Sequence, residues 1–145
     1  MKKVLLITAI ALSGLLVAPV HADTGRFTTC LLDSLNGKER KNLAKWIYFS
    51  IAAHPELNEF SNISKSDRTS IDKYTGQLVT RLLVEDCAQE LVAAQKADPL
   101  AIEKAFEMVG QVAMQELMNS EDVTNAITNY LQYTDQDKLN QLFTE

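Results

Sequence analysis

The sequence predicts an all-α protein: a compact bundle of six or seven helices, packed antiparallel or orthogonally and stapled by one disulfide. Three observations carry that reading. Apolar residues recur at spacings of three and four along most of the chain, with no alternating strand pattern. The two strongest breakers are scarce, with 5 glycines and 3 prolines in 145 residues. The cysteines are Cys30 and Cys87, an even number suited to a single bridge.

The chain opens with the positive Met1, Lys2 and Lys3, runs apolar from Val4 to Ala18, and closes this stretch with Pro19, Val20, His21 and Ala22. That is the layout of a secretory signal peptide with a small-x-small cleavage site. The apolar run falls short of the about 20 residues a membrane span needs, and it contains Ser13 and Gly14. Residues 1–22 are therefore expected to be removed, leaving 23–145 as a single helical domain in a bacterial periplasm. Asp23, not a cysteine, follows the cleavage site, so no lipid anchor is expected. Removal also moves the net charge from −5 to −7 and deletes His21, one of the 2 histidines.

A first helix is expected over 25–35, with Phe27, Leu31 and Leu35 on one stripe, Cys30 beside it, and Asn36 and Gly37 as the stop. Residues 43–53 are apolar almost all round, which predicts a helix buried on most sides at the centre of the domain. Its first turn is basic: Lys38, Arg40 and Lys41 stand where the helix dipole prefers acids, with Glu39 as local compensation. With Lys45 they form either a solvated helix end or a contact patch. His54 and Pro55 end that helix, and Leu57, Phe60 and Ile63 predict a short helical segment tucked against the core.

Ser64 and Asp67 have capping-box spacing and open a long helix through Ile71, Tyr74, Leu78, Leu82 and Leu83 to Cys87. A bond from Cys87 to Cys30 would tie that helix to the first, contributing roughly 4 kcal/mol through loop closure in an oxidising compartment. Gly76 and Gly110 fall inside helices, where each predicts a close helix–helix approach. Further helices are expected over 86–96, over 99–119 behind an Asp98 cap with Pro99, from Ser120 through Val123, Ile127, Tyr130 and Leu131, and finally from Asp135 through Leu139, Leu142 and Phe143.

Few chemistries fit these residues. His54 is the single histidine of the processed chain, which removes multi-histidine zinc sets, and at a helix end it serves the dipole better than a triad. The close carboxylate pairs Glu85/Asp86, Glu121/Asp122 and Asp135/Asp137 point apart on a helix or stand in first turns, where acids stabilise the N-terminus. Asp135 and Asp137 match the first two ligand positions of a calcium loop, but Leu139 occupies the third. There is no phosphate-binding glycine loop, dinucleotide fingerprint or nucleophile elbow. No catalytic residue, metal ligand or cofactor is expected, and the acidic balance argues against nucleic acid as a partner.

Two surface features remain. Residues 23–96 balance ten acids with ten bases, whereas 97–145 carry nine acids against Lys104 and Lys138 alone. That asymmetry could steer a basic partner. The helix over 99–119 is apolar over a wide arc, formed by Ile102, Ala105, Phe106, Val109, Val112, Ala113 and Leu117, with Met114 and Met118 on its edge.

The expected function is a non-enzymatic periplasmic binding protein with a protein partner, of inhibitor or immunity type. The candidate surface is Lys38, Arg40, Lys41, Lys45, Met114 and Met118. Two alternatives stand beside it. An exported helical chain with one cysteine pair resembles, in class features, the small single-disulfide periplasmic acid chaperones, which implies exposing apolar surface as carboxylates protonate. The other is a carrier of small hydrophobic ligands, with a cavity around Trp46, Tyr48, Phe49 and Phe106.

Overall fold

The structure is a computed structural model that describes residues 20–143, with side chains from 22 onward. The expected signal peptide lies almost wholly outside the described residues. Among those residues there are eight α-helices and no strand. They are α1 (Val20–Asp33), α2 (Gly37–Ile51), α3 (Pro55–Asn58), α4 (Lys65–Arg81), α5 (Ala88–Ala97), α6 (Ala101–Met118), α7 (Glu121–Thr128) and α8 (Gln136–Gln141). One π turn, Leu82–Asp86, joins α4 to α5, and a 3₁₀ segment, Asn129–Tyr133, follows α7. The count exceeds six or seven by the single turn of α3.

The core is built on a ladder of small residues. Ala101, Ala105, Val109 and Ala113 recur every four positions along α6 and are all buried. Short side chains let neighbouring backbones approach, and α6 packs against α1, α2 and α5. Phe27 and Leu31 of α1, Leu35 just after it, Leu43 and Ala44 of α2, Leu78, Leu82, Cys87 and Ala94 complete this cluster. The central helix is therefore α6, not α2. Only Glu39, Leu43 and Ala44 are buried along α2, and Tyr48 and Ile51 are each 52% exposed. Of its aromatics, Tyr48 is exposed and Trp46 turns a polar edge outward, its Nε1 donating to Asp72 at 3.0 Å.

The expected helix from Ser64 to Cys87 is interrupted. The Cys87 N–H donates to the Leu82 carbonyl at 2.9 Å, an i→i+5 bond that widens one turn. In a regular α-helix residues five apart diverge by about 140°. The wider turn brings both Leu82 and Cys87 to the core, where each is 0% exposed.

Local signals differ from expectation at several points. Asn36 does not stop α1, which ends at Asp33; it opens α2 as a capping box, accepting from the Glu39 N–H while Glu39 accepts from its own N–H, both at 3.0 Å. Ser64 and Asp67 form the expected second box. Asp98 is not the N-cap of the next helix: it is the C-cap of α5, its side chain accepts from the Leu100 N–H at 2.9 Å within the connecting turn, and α6 begins at Ala101 behind Leu100 with no side-chain cap. His54 is the N-cap of α3, its Nδ1 accepting from the Glu56 N–H at 3.3 Å. The C-terminal end of α2 is held instead by Arg68, which donates to the Phe49 and Ala52 carbonyls.

Leu57 and Phe60 are not tucked in, Phe60 being 80% exposed, because a one-turn helix ended by residues 59–63 offers too little face to pack. Neither glycine marks a tight approach. A Cβ on Gly76 would have nothing within 4 Å, and one on Gly110 would meet Ile47 Cδ1 at an ordinary 3.9 Å.

Candidate interaction surface

The structure divides the residues singled out from sequence into two groups, one structural and one exposed. Cys30 and Cys87 are bonded, joining α1 to the N-cap of α5 instead of to the body of α4. Such a bond persists in oxidising compartments. Among the described residues no helix is long and apolar enough to cross a membrane. Both facts are compatible with an extracellular or periplasmic protein.

Arg40 belongs to the framework. Its Nη1 donates to the Leu35 carbonyl at 2.6 Å and its Nε lies 3.4 Å from Glu116 on α6. That ion pair spans the seam between α2 and α6, where a groove from the lysine turn to the methionine edge would have run. Met114 packs against the core, whereas Met118 is exposed. Lys38, Lys41 and Lys45 are exposed on the side of α2 away from α6, and Tyr48 continues their line at the i, i+3, i+7, i+10 spacing of one helix face.

The four aromatics proposed to line a cavity do not share one. Phe106 packs against the core. Phe49 borders an open depression with Ser50, Ala53, Arg68, Ile71 and Asp72. Tyr48 is exposed and meets Phe49 only edge to face, with ring centroids 6.1 Å apart.

A joint that the sequence reading missed lies beside the disulfide. Arg81, the last residue of α4, donates through Nη1 to Glu39 at 2.9 Å and through Nη2 to the Ser34 carbonyl at 3.1 Å, and its Nε lies 3.0 Å from Asp86. One guanidinium thus ties the end of α1, the start of α2 and the π turn. The Ser34 hydroxyl adds a 3.7 Å contact to Cys87 Sγ. Burial pushes the Glu39 carboxyl up, but the Asn36 backbone N–H and Arg81 outweigh it and hold the group below its ordinary value. Arg81 is in turn held above its ordinary range, chiefly by its bond to Glu39. The signal was present in sequence: Asn36 and Glu39 have the same spacing as Ser64 and Asp67, hidden among basic neighbours.

Several acids of the close pairs singled out from sequence have local partners or stand at helix starts. Asp86 pairs with Arg81, and Asp135 caps α8 and pairs with Lys138 at 2.8 Å, which holds its carboxyl below the usual value. Glu121 and Asp122 occupy the first turn of α7.

The largest exposed apolar feature is the C-terminal arm, residues 121–143. None of its side chains is buried, and the main contacts of α7 are with α6 and the 3₁₀ segment. Ile127, Tyr130, Leu131, Tyr133, Leu139, Leu142 and Phe143 are exposed, Phe143 to 85%. The sequence reading assigned these residues to packed helices. Their periodicity is amphipathic, but the fold supplies no second surface to cover it. No protein-family model matches the chain, and neither does any curated protein or solved structure.

Proposed function

We propose that the protein is a non-catalytic periplasmic interaction protein whose contact surface is the acidic, apolar C-terminal arm. The observation that carries this reading is the exposure of seven large apolar side chains on residues 121–143. Scattered exposed apolar residues are normal, but a run of them on one appendage marks a contact site. The acids of 97–145 favour a partner with basic character around an apolar centre, and a rigid cross-linked bundle behind the arm suits an inhibitor or immunity-type protein that occludes its target. The periplasmic part of this reading is supported by the signal-peptide pattern of residues 1–22 and by the disulfide. Cleavage after Ala22 would leave Asp23 in the first turn of α1, where an acid complements the dipole.

Affinity capture from periplasmic extract tests the reading. Wild type should enrich a specific protein that the Tyr130→Ser/Tyr133→Ser/Phe143→Ser variant does not, with unchanged helical circular dichroism. Extracts from several growth conditions in which the two baits behave alike would sink it.

A second reading, an acid-responsive chaperone, is favoured by the Glu39 carboxylate at the Arg81 joint, since protonation there unclamps α1, α2 and the π turn. It requires that the protein loosen near pH 2–3 and suppress aggregation of a model client, as carboxylate-dependent folds do in acid. Native folding at that pH with no suppression excludes it.

A further inference from the structure

Two unpartnered surfaces of opposite charge emerge from the same end of this molecule. The first is the arm, with Glu121, Asp122 and Asp137 exposed among its apolar side chains. The second is the outward stripe of α2, which begins with Lys38, Lys41 and Lys45 and passes into Tyr48 and Ile51. Arg40, the remaining base of that turn, is already used by Glu116 and the Leu35 carbonyl. Asp67 at the start of α4 acts weakly on Lys45. Lys38 and Lys41 have no ion pair among the described residues. The stripe is thus basic, then apolar; the arm is acidic and apolar.

Their placement decides the occupant. Arg40 and Gly37 at the start of α2 sit against Glu116 near the end of α6, Gly37 within 3.9 Å by its virtual Cβ. The arm therefore leaves α6 beside the turn where the lysine stripe begins, yet does not lie along it: α7 packs on α6 and the 3₁₀ segment, not on α2. A two-fold axis through this end of the molecule would carry each arm to the other molecule's stripe and bury both surfaces twice. Such an isologous contact closes on itself and leaves no open edge for further growth.

We propose that the occupant of this stripe is the arm of a second copy of the chain, and that the protein is a reciprocal dimer in which Glu121, Asp122 and Asp137 face Lys38, Lys41 and Lys45 of the other copy, while the arm's tyrosines and Phe143 cover Tyr48 and Ile51. This rests on the reading of the arm as the contact surface and names what it contacts. Opposite charges arranged this way set register and association rate, and like charges in the same place repel.

Sedimentation velocity on the purified, disulfide-bonded protein tests it. Dimer is expected at low ionic strength and a shift towards monomer near 1 M salt, where the screening length falls to about 3 Å. Variant Lys38→Glu/Lys41→Glu/Lys45→Glu and variant Glu121→Lys/Asp122→Lys/Asp137→Lys should each dimerise at least roughly tenfold more weakly, a loss of about 1.4 kcal/mol. All six positions are exposed, so at dilutions where the wild type is monomeric both variants should keep its thermal transition. Mixed together, the two should restore a heterodimer, because both contacts of the mixed pair are again complementary. A wild type monomeric at all concentrations, or a dimer that neither charge reversal weakens, overturns the proposal. If the wild type is monomeric while arm substitutions abolish capture of another protein, the second copy is excluded and the arm remains the contact surface. If arm substitutions change neither measurement, both readings fall.

Discussion

At the scale of single residues, Arg81 joins three parts of the architecture. Its guanidinium bonds the Ser34 carbonyl just past α1 and the Glu39 carboxylate on α2, and forms an ion pair with Asp86 on the π turn. Arg81→Ala leaves the buried Glu39 without its cation and should lower the unfolding free energy by about 2–3 kcal/mol, read as a lower urea midpoint with unchanged slope. The same joint sets a pH dependence. Because the folded Glu39 carboxyl is held below its ordinary value of 4.5, its stabilisation is fully present above that value and is lost as pH falls through the lower folded value. The stability gap between wild type and Glu39→Gln should therefore be constant at neutral pH and shrink in acid; a gap that widens in acid would contradict the assignment. Thr75 makes the opposite case. Its Oγ1 is buried with no hydrogen-bond partner among the described residues, so Thr75→Val, nearly the same shape without the hydroxyl, should stabilise by about 1 kcal/mol in the same measurement.

At the scale of elements, helices are set by caps and by where small residues fall. Gly76 lies inside α4 with open space around its Cβ position, so its cost is purely that of a flexible residue in a helix. Gly76→Ala should raise stability by up to about 1 kcal/mol, whereas Ala105→Leu, which forces a large side chain into the α6 ladder, should cost about 1–3 kcal/mol. Paired thermal melts separate the two directions. These elements also show what was legible in sequence. The stripe of Phe27, Leu31 and Leu35, the Ser64 box and the Cys30–Cys87 pairing were readable because each is local or has no competitor. The centrality of α6 was not. Periodicity counts apolar faces but not side-chain size, and alanines mark a crowded position that the aromatics of α2 cannot occupy. The π turn was hidden for a similar reason: Leu82 and Cys87 fit an apolar helix whether or not one residue is inserted between their faces.

At the scale of the whole molecule, the chain divides into a bundle closed by covalent and ionic ties and an arm that shares few of them. The disulfide, the Arg81 joint and the α6 ladder all act on residues 27–113, and among the described residues no buried side chain lies beyond Ala113. Of the candidate surface, the exposed lysines and Met118 were legible as polar or edge positions, but the arm was not, because an amphipathic helix reads alike whether its apolar face meets a core or solvent. Opening free energies should follow the same division. Amides of α1 and α6 should exchange only through global unfolding, whereas those of 121–143 should exchange through local opening, since few buried contacts hold them. At dilutions where the full chain is monomeric, truncation after Asn119 should accordingly leave the main thermal transition within about 0.5 kcal/mol of it, as expected for the loss of a solvated appendage. A truncated chain that fails to fold, or slow exchange throughout the arm at dilutions where the protein is monomeric, would mean that residues 121–143 are part of the core and not a surface kept for a partner.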